Sequence, residues 1–452
     1  MNRSMNSMEK FVIQGLGGKK TLKGTVRVNG AKNAALKAMA AAVLFDGPVR
    51  LKNMPHTEDI HIQAEILRKL GADVSWTKDS GEIDHAMEID TRGLRSTDID
   101  GELAGKMRAS VVLTGPLLGR FGKATFPAPG GCVIGARPID LFISGYEAMG
   151  AMTKEDGVYD ISVSPKSKVQ SLKGANIIFK KVSVGATETL MMAAVLAEGK
   201  TVLENCACEP EIVNVVEWLN ACGAKIKGVG TSTIEIEGTG GRLLSSESAA
   251  KNPYVAIPDR IEAGSYLVLG ALCADELKID DCRPEHLGAL IDLLKLSGVP
   301  IKTTDSSIVV SGNTMPDSSF KTFDVTTKEY PGFATDLQPM IAVYMTQVSG
   351  RSKLTETIYE GRFKYVDDLK SLGADIDTVS SQEITISGPS RLKALPAGRE
   401  MKALDIRAGF AVVLAALCAE GETTVTNIGL IDRGYERLEE RLQSLGADVV
   451  RN

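Results

Sequence analysis

Leu67-Arg68-Lys69-Leu70-Gly71-Ala72-Asp73-Val74 returns almost unchanged as Leu369-Lys370-Ser371-Leu372-Gly373-Ala374-Asp375-Ile376, and again as Leu442-Gln443-Ser444-Leu445-Gly446-Ala447-Asp448-Val449. A leucine-rich run that stops on Gly reads as the last turn of an amphipathic helix, with glycine just past its end and a strand directly after. Weaker versions occupy Tyr146–Met152, Trp218–Ile226 and Leu293–Ile301. The six glycines, Gly71, Gly150, Gly223, Gly298, Gly373 and Gly446, stand 79, 73, 75, 75 and 73 residues apart. A near-constant period along the whole chain is the mark of tandem structural units.

Working outward from each copy, the same grammar recurs. An apolar helix rich in small residues comes first: Ala34–Leu44, Ala109–Leu118, Ala186–Leu196, Ala263–Cys273, Leu337–Tyr344 and Ile406–Cys418. A β-rich run follows, such as Val49–Lys52, Thr201–Glu204, Glu276–Ile279 or Thr423–Thr426, then the amphipathic helix and a closing strand pair such as Ala224–Lys227 with Thr233–Glu237. The first helices are apolar nearly all round, which predicts burial on most sides. Each unit therefore reads βαβαββ when the strand before its first helix is counted. Six units predict two α/β domains of three units, each with its helices inside its strands. A six-unit solenoid is the competing arrangement.

Bulk properties narrow the function. The 452 residues exceed one ordinary core. With 43% hydrophobic and 24% charged residues the composition is that of a soluble globular chain. A net charge of −5 offers no general attraction to nucleic acid or anionic membrane, so any anion must be met by a local basic site. The seven cysteines include no C-x-x-C pair, which argues for reduced thiols and a cytoplasmic setting. No secretory signal and no membrane span is expected. The four histidines lack metal-ligand spacing, so no metal site is expected either.

Reactive residues fall at equivalent places of the repeat. The starts of the apolar helices carry Lys32-Asn33, Arg108, Ser183-Val184-Gly185, Asp259-Arg260, Thr335-Asp336 and Asp405-Ile406-Arg407. The loops after the first strands carry Pro55-His56, Gly130-Gly131-Cys132 through Arg137, Glu209-Pro210-Glu211, Pro284-Glu285-His286, Tyr359–Arg362 and Asp432–Glu436. Unpaired N–H groups and the positive end of the helix dipole favour anions at such ends. Lys32, Arg108, Arg137, Arg362, Arg407 and Arg433 add formal charge there, and guanidinium forks suit phosphate and carboxylate. Cys132 lies in a glycine-rich loop, five residues from Arg137, where a nearby cation would activate a thiol. Asp336 is either a first-turn acid or a carboxylate placed to take a proton from a hydroxyl. Glu209 and Asp259 rank as supporting groups.

Gly30–Ala35, Gly130–Asp140, Lys181–Thr187 and Ile431–Arg437 together resemble the UDP-N-acetylglucosamine 1-carboxyvinyltransferase family of enolpyruvyl transferases, over more than 95% of the chain. The resemblance implies an inside-out α/β barrel of two three-repeat domains, residues 33–258 and 1–32 plus 259–452, with the active site in the cleft between them. It implies transfer of the carboxyvinyl group of phosphoenolpyruvate to the 3′-hydroxyl of UDP-N-acetylglucosamine by a monomer needing no cofactor. Lys32, Arg137 and Arg433 look like the ligands of the phosphoenolpyruvate phosphate, Arg362 and Arg407 like those of its carboxylate, and Asn33 joins them in the phosphoenolpyruvate-binding set. Asn33, Arg108, Arg137, Pro138, Ile139, Asp140, Leu141, Lys181, Val182, Ser183, Val184, Asp336 and Ile358 correspond to the UDP-sugar site. Cys132 matches a loop cysteine that acts as an acid and is the target of the inhibitor fosfomycin, while Asp336 matches the proposed base. Two departures are Phe142 and Leu430, where some relatives carry His. The nearest alternatives are transfer to shikimate 3-phosphate and a weakly active regulatory paralogue that binds UDP-sugar.

Overall fold

The computed structural model describes residues 9–77, 85–127, 139–163, 171–312, 320–396 and 398–452. Within them all six glycines that end the amphipathic helices have positive φ, from 90° at Gly150 to 108° at Gly71. That conformation is strained for an L-residue and free for glycine, which is why the repeat keeps it.

The described chain divides into two compact units. The first holds the residues up to Asn29 and Pro258–Asn452, and the second lies between Gly30 and Ile257. Each unit has its own three sheets and its own apolar core. In the first unit one sheet runs Ile301–Thr303, Ser307–Val310, Ala274–Asp280, Leu22–Arg27, and another Val325–Thr326, Gly350–Thr355, Glu383–Gly388, Asp375–Ser380. The third sheet joins Met401–Lys402, Glu422–Thr426, Lys10–Gln14 and Val449–Arg451, so the first and last described strands share one ladder. This is the two-domain inside-out barrel, and a solenoid is excluded.

The chain crosses over between a strand and its helix. Leu22–Arg27 precedes the helix Lys32–Ala41 of the second unit, yet pairs in parallel with Ala274–Asp280 of the first. Tyr254–Val255 precedes the helix Arg260–Cys273 of the first unit, yet pairs in parallel with Val49–Lys52 of the second. Each unit thus completes a βαβ unit with a strand from the other's approach segment.

The central helices are buried as their composition predicts. Every residue of Arg260–Cys273 except Arg260 is buried, and every residue of Ile406–Cys418 except Ile406. Small residues permit the close approach this requires: a Cβ at Gly115 would lie 2.2 Å from the carbonyl oxygen of Thr189 on the neighbouring helix Val184–Val195. No helix among the described residues is long and apolar enough to cross a membrane.

Candidate active site

The first unit brings three of the expected residues together. Asp336 is the middle residue of a short 3-10 turn, Thr335–Leu337, that leads into the buried helix Gln338–Gln347. Arg362 donates from Nη2 to Asp336 Oδ1 at 2.9 Å, and Arg407 Nε lies 3.8 Å from the same oxygen. The arginine side chains are 1% and 5% exposed, against 34% for Asp336. Burial pulls the Arg407 pKa down, but Tyr435 and the Asp336 and Asp259 carboxylates outweigh it, so the group stays charged and above its ordinary value. Arg362 likewise ends above its ordinary value, with burial opposed by Asp336, Asp405 and Glu356. Arg362 Nε and Arg407 Nη1 are buried and meet no acceptor among the described residues. A buried N–H without an acceptor costs on the order of 1–3 kcal/mol. Two such donors lie beside one carboxylate, Asp336.

Local sequence explains the placement. The Asp405 side chain accepts from the backbone N–H of Arg407 at 2.8 Å and of Ala408 at 3.0 Å, fixing the helix turn that carries Arg407. Asp259 does the same for Ile261 and Glu262 at the start of Arg260–Cys273. Arg433 follows the short helix Gly429–Asp432, whose Asp432 pairs with Arg451 of the last strand at 2.5 Å. Gly434 lets this loop close on the helix Ile406–Cys418, because a Cβ there would come 2.5 Å from Ile406 Cγ2. The Arg407 guanidinium then rests 5.2 Å from the Tyr435 ring centre. Ile358 is half-buried in the loop between Gly350–Thr355 and Arg362.

The second unit holds the other group. Lys32, 7% exposed, opens the helix Lys32–Ala41 and pairs with the buried Asp59 at 2.9 Å. Asn33 follows it in the first turn, which has no side-chain cap. Arg108 begins the 3-10 helix Arg108–Leu113. Ser183 caps Val184–Val195 by accepting from the N–H of Ala186 at 3.3 Å, with Lys181 exposed and Val182 half-buried just before it. Ile139 and Leu141 are buried at the start of Asp140–Ala148, and Asp140 is exposed. Glu209 stands before the helix Pro210–Ala221. Cys132, Arg137 and Pro138 lie outside the described residues.

The departures and the histidines are also placed. Phe142 is 7% exposed and its ring tip would be 3.1 Å from a Cβ at Gly185, so it packs against the first turn of Val184–Val195. Leu430 is half-buried or more exposed in the short helix before Arg433. Three of the four histidines gather around Trp76: the His56 ring stacks on it at 3.9 Å, with His85 and His61 5.0 and 5.8 Å from His56.

Sequence reasoning missed two buried features. Glu356 is fully buried beneath the Arg362 loop. Lys37 Nζ meets Glu188 Oε2 at 3.1 Å between two central helices of the second unit. Burial pushes the Glu188 carboxyl up to about 7, with Lys37 opposing and Glu211 and Glu209 adding to the rise. The available signal was a lone charge in each of two helices predicted to be apolar all round.

Two units, each with three sheets around buried helices, and a buried arginine at one helix start beside another in a loop, have the make-up of an enolpyruvyl transferase. The EPSP synthase (3-phosphoshikimate 1-carboxyvinyltransferase) family model matches residues 16–442, and the chain belongs to that family. Within it, the chain is 45% identical to a UDP-N-acetylglucosamine 1-carboxyvinyltransferase of Halothermothrix orenii, over 98% of this chain and 99% of that protein. It is 43% identical to the enzyme of the same name from Koribacter versatilis, over 98% and 96%. Among solved structures, the enolpyruvyl transferase NikO from Streptomyces tendae superposes with a TM-score of 0.82 at 25% identity, covering 98% of this chain and 99% of that one. An EPSP synthase from Acinetobacter baumannii shares the fold, with a TM-score of 0.69 at 18% identity, covering 98% of this chain and 100% of that one.

Proposed function

We propose that the protein transfers the 1-carboxyvinyl group of phosphoenolpyruvate to the 3′-hydroxyl of UDP-N-acetylglucosamine and releases phosphate, the first committed step of peptidoglycan precursor synthesis. The carrying observation is the pair of buried arginines with unpartnered N–H groups beside Asp336. In this reading Arg362 and Arg407 take the substrate carboxylate. Lys32, Arg137 and Arg433 take the phosphate, and Asn33 belongs to both substrate sites. Arg108, Ile139–Leu141, Lys181–Val184 and Ile358 serve the nucleotide sugar, with Arg137 and Pro138. Glu209 and Asp259 support these groups, Asp259 through its helix cap. The enzyme works as a cytoplasmic monomer.

The chemistry balances without a cofactor. Cys132 gives a proton to C3 of the enol phosphate, and positive charge develops at C2. The sugar 3′-hydroxyl attacks C2 while Asp336 takes its proton. The tetrahedral intermediate then loses phosphate from C2 and a proton from C3, which restores the double bond. Fixed cationic charge stabilises the negative charge that builds up on the departing phosphate, in a buried setting far better than in water. Asp336 is suited to its part because its carboxylate is the partly exposed member of the cluster.

Phosphate release from phosphoenolpyruvate, with UDP-N-acetylglucosamine or shikimate 3-phosphate as acceptor, tests the reading. Release with the nucleotide sugar alone is expected. Release with shikimate 3-phosphate alone assigns the sister reaction, and none with either acceptor ends the proposal. Asp336→Asn is expected to cut turnover strongly while phosphoenolpyruvate still binds, and near-normal kcat would remove Asp336 as the base. Cys132→Asp should abolish covalent labelling by fosfomycin while keeping some turnover; a label on another cysteine would refute that assignment.

A further inference from the structure

The carboxylate of Glu356 is fully buried at the end of the strand Gly350–Thr355. It receives four donors. Oε1 accepts from Thr327 Oγ1 at 2.9 Å, from the N–H of Ile358 at 2.8 Å and from the N–H of Tyr359 at 3.1 Å. Oε2 accepts from Thr335 Oγ1 at 2.9 Å. Thr327 is fixed in its donor role, since its Oγ1 also accepts from the N–H of Thr357 at 2.9 Å.

These partners have different destinations. Ile358 and Tyr359 begin the loop that carries Arg362, and Thr335 immediately precedes Asp336. One rigid carboxylate therefore joins the two segments whose side chains meet at 2.9 Å in the Arg362–Asp336 pair. We infer that Glu356 is a positioning residue for the reaction: its two oxygens set the placement of Asp336, through Thr335, independently of the placement of Arg362, through Ile358 and Tyr359. The inference rests on the proposed roles of Asp336 and Arg362. It adds a group that touches neither substrate.

The geometry makes the branches separable. Oε1 takes the backbone donors that lead to Arg362, and Oε2 takes the Thr335 hydroxyl, so the two can be removed one at a time. Thr335→Val removes one branch and leaves the other intact. Thr335→Ser keeps the hydroxyl.

Steady-state kinetics are measured on the full-length chain, with kcat corrected for folded fraction by circular dichroism. Thr335→Val should lower kcat by about tenfold, because a small misplacement of a reacting group is costly. Its KM for phosphoenolpyruvate should stay within about twofold of wild type, since the Arg362 branch is untouched. Thr335→Ser should recover wild-type kcat to within about twofold, as the hydroxyl it keeps is the group that matters. Glu356→Ala, if it folds, should lose both kcat and phosphoenolpyruvate affinity. A Thr335→Val enzyme with wild-type kcat overturns the inference while wild-type turnover upholds the proposed reaction. So does a kcat loss that Thr335→Ser does not restore. A wild-type chain that releases no phosphate with either acceptor removes the proposed reaction, and this inference with it.

Discussion

Arg362 and Arg407 in the first unit lie against a single oxygen of the partly exposed Asp336, and each keeps a buried N–H that meets no acceptor among the described residues. Lys37 in the second unit faces a buried carboxylate of its own, Glu188. The architecture is the same, with three sheets around apolar helices. What differs is the balance of donors and acceptors around each buried cation. At Arg362 and Arg407 the donors exceed the acceptors among the described residues. Lys37 and Glu188 instead pair with each other between two central helices. Burial of a cation alone therefore does not mark a binding group. In the proposed reading the surplus of donors singles out Arg362 and Arg407, whereas Lys32, paired with Asp59, is proposed on its place at a helix start.

The largest effect should come from removing that surplus without removing charge. Arg407→Lys keeps the cation but loses the planar fork, and is expected to lower kcat/KM for phosphoenolpyruvate by about 10³, or ~4 kcal/mol. Stability should change little, because one of the lost N–H groups had no partner. An Arg407→Lys enzyme that keeps kcat/KM would show that Arg407 belongs with the paired charges of the second unit.

Lys37→Met reverses the pattern. It takes the partner from a fully buried Glu188 and should cost about 3 kcal/mol of stability at pH 8, read from urea unfolding. The double replacement Lys37→Met, Glu188→Met should cost less than the single one, since both buried charges go together. A double variant no more stable than Lys37→Met would mean that the pair is not acting as a unit.

Much of this contrast was legible in the sequence, for physical reasons that differ by level. The repeat was readable because Gly71, Gly150, Gly223, Gly298, Gly373 and Gly446 each need a positive φ that few other residues tolerate, and all six have it. The buried helices were readable because Ile261–Cys273 and Arg407–Cys418 present no polar face. The pairing of charges was not. Asp59 lies 27 residues from Lys32, Glu188 lies 151 from Lys37, and Arg362 lies 26 from Asp336, so spacing says nothing of who meets whom. The same holds for His56, His61 and His85, which no ligand-like spacing connects and which nevertheless surround Trp76. Glu356 stands between two threonines in Thr355-Glu356-Thr357, a context with no sign of burial; only the fold turns it under the Arg362 loop.

A smaller effect follows from the proton on Glu188. Burial raises its pKa in the folded state to about 7, while in the unfolded chain it returns to an ordinary carboxylate value near 4.5. Between these values the folded state holds a proton that the unfolded state releases, so stability must fall as pH rises through the window and level off above it. The loss between pH 5 and 7 should be about 2 kcal/mol relative to Glu188→Gln, which has no proton to lose. Parallel stability–pH curves for the two chains would show that Glu188 is ionised throughout, as a fully matched ion pair would be.

The smallest effect tests whether the two units are alike where they should be. Gly223 in the second unit and Gly446 in the first end equivalent helices, with φ of 102° and 96°. A Cβ at either would meet nothing within 4 Å. Substitution by Ala therefore costs only the left-handed conformation, about 1 kcal/mol, and the two values should agree to within about 0.5 kcal/mol. Gly71 has the same role and a φ of 108°, but its Cβ would lie 2.4 Å from the carbonyl oxygen of Gly93. Backbone at that distance must shift, so Gly71→Ala should cost clearly more than the other two. Three equal penalties in urea unfolding would mean that the Gly93 strand end yields freely. Unequal penalties at Gly223 and Gly446 would instead show that the repeat is equivalent in geometry but not in energy, and the contrast between the units would then reach beyond their charges.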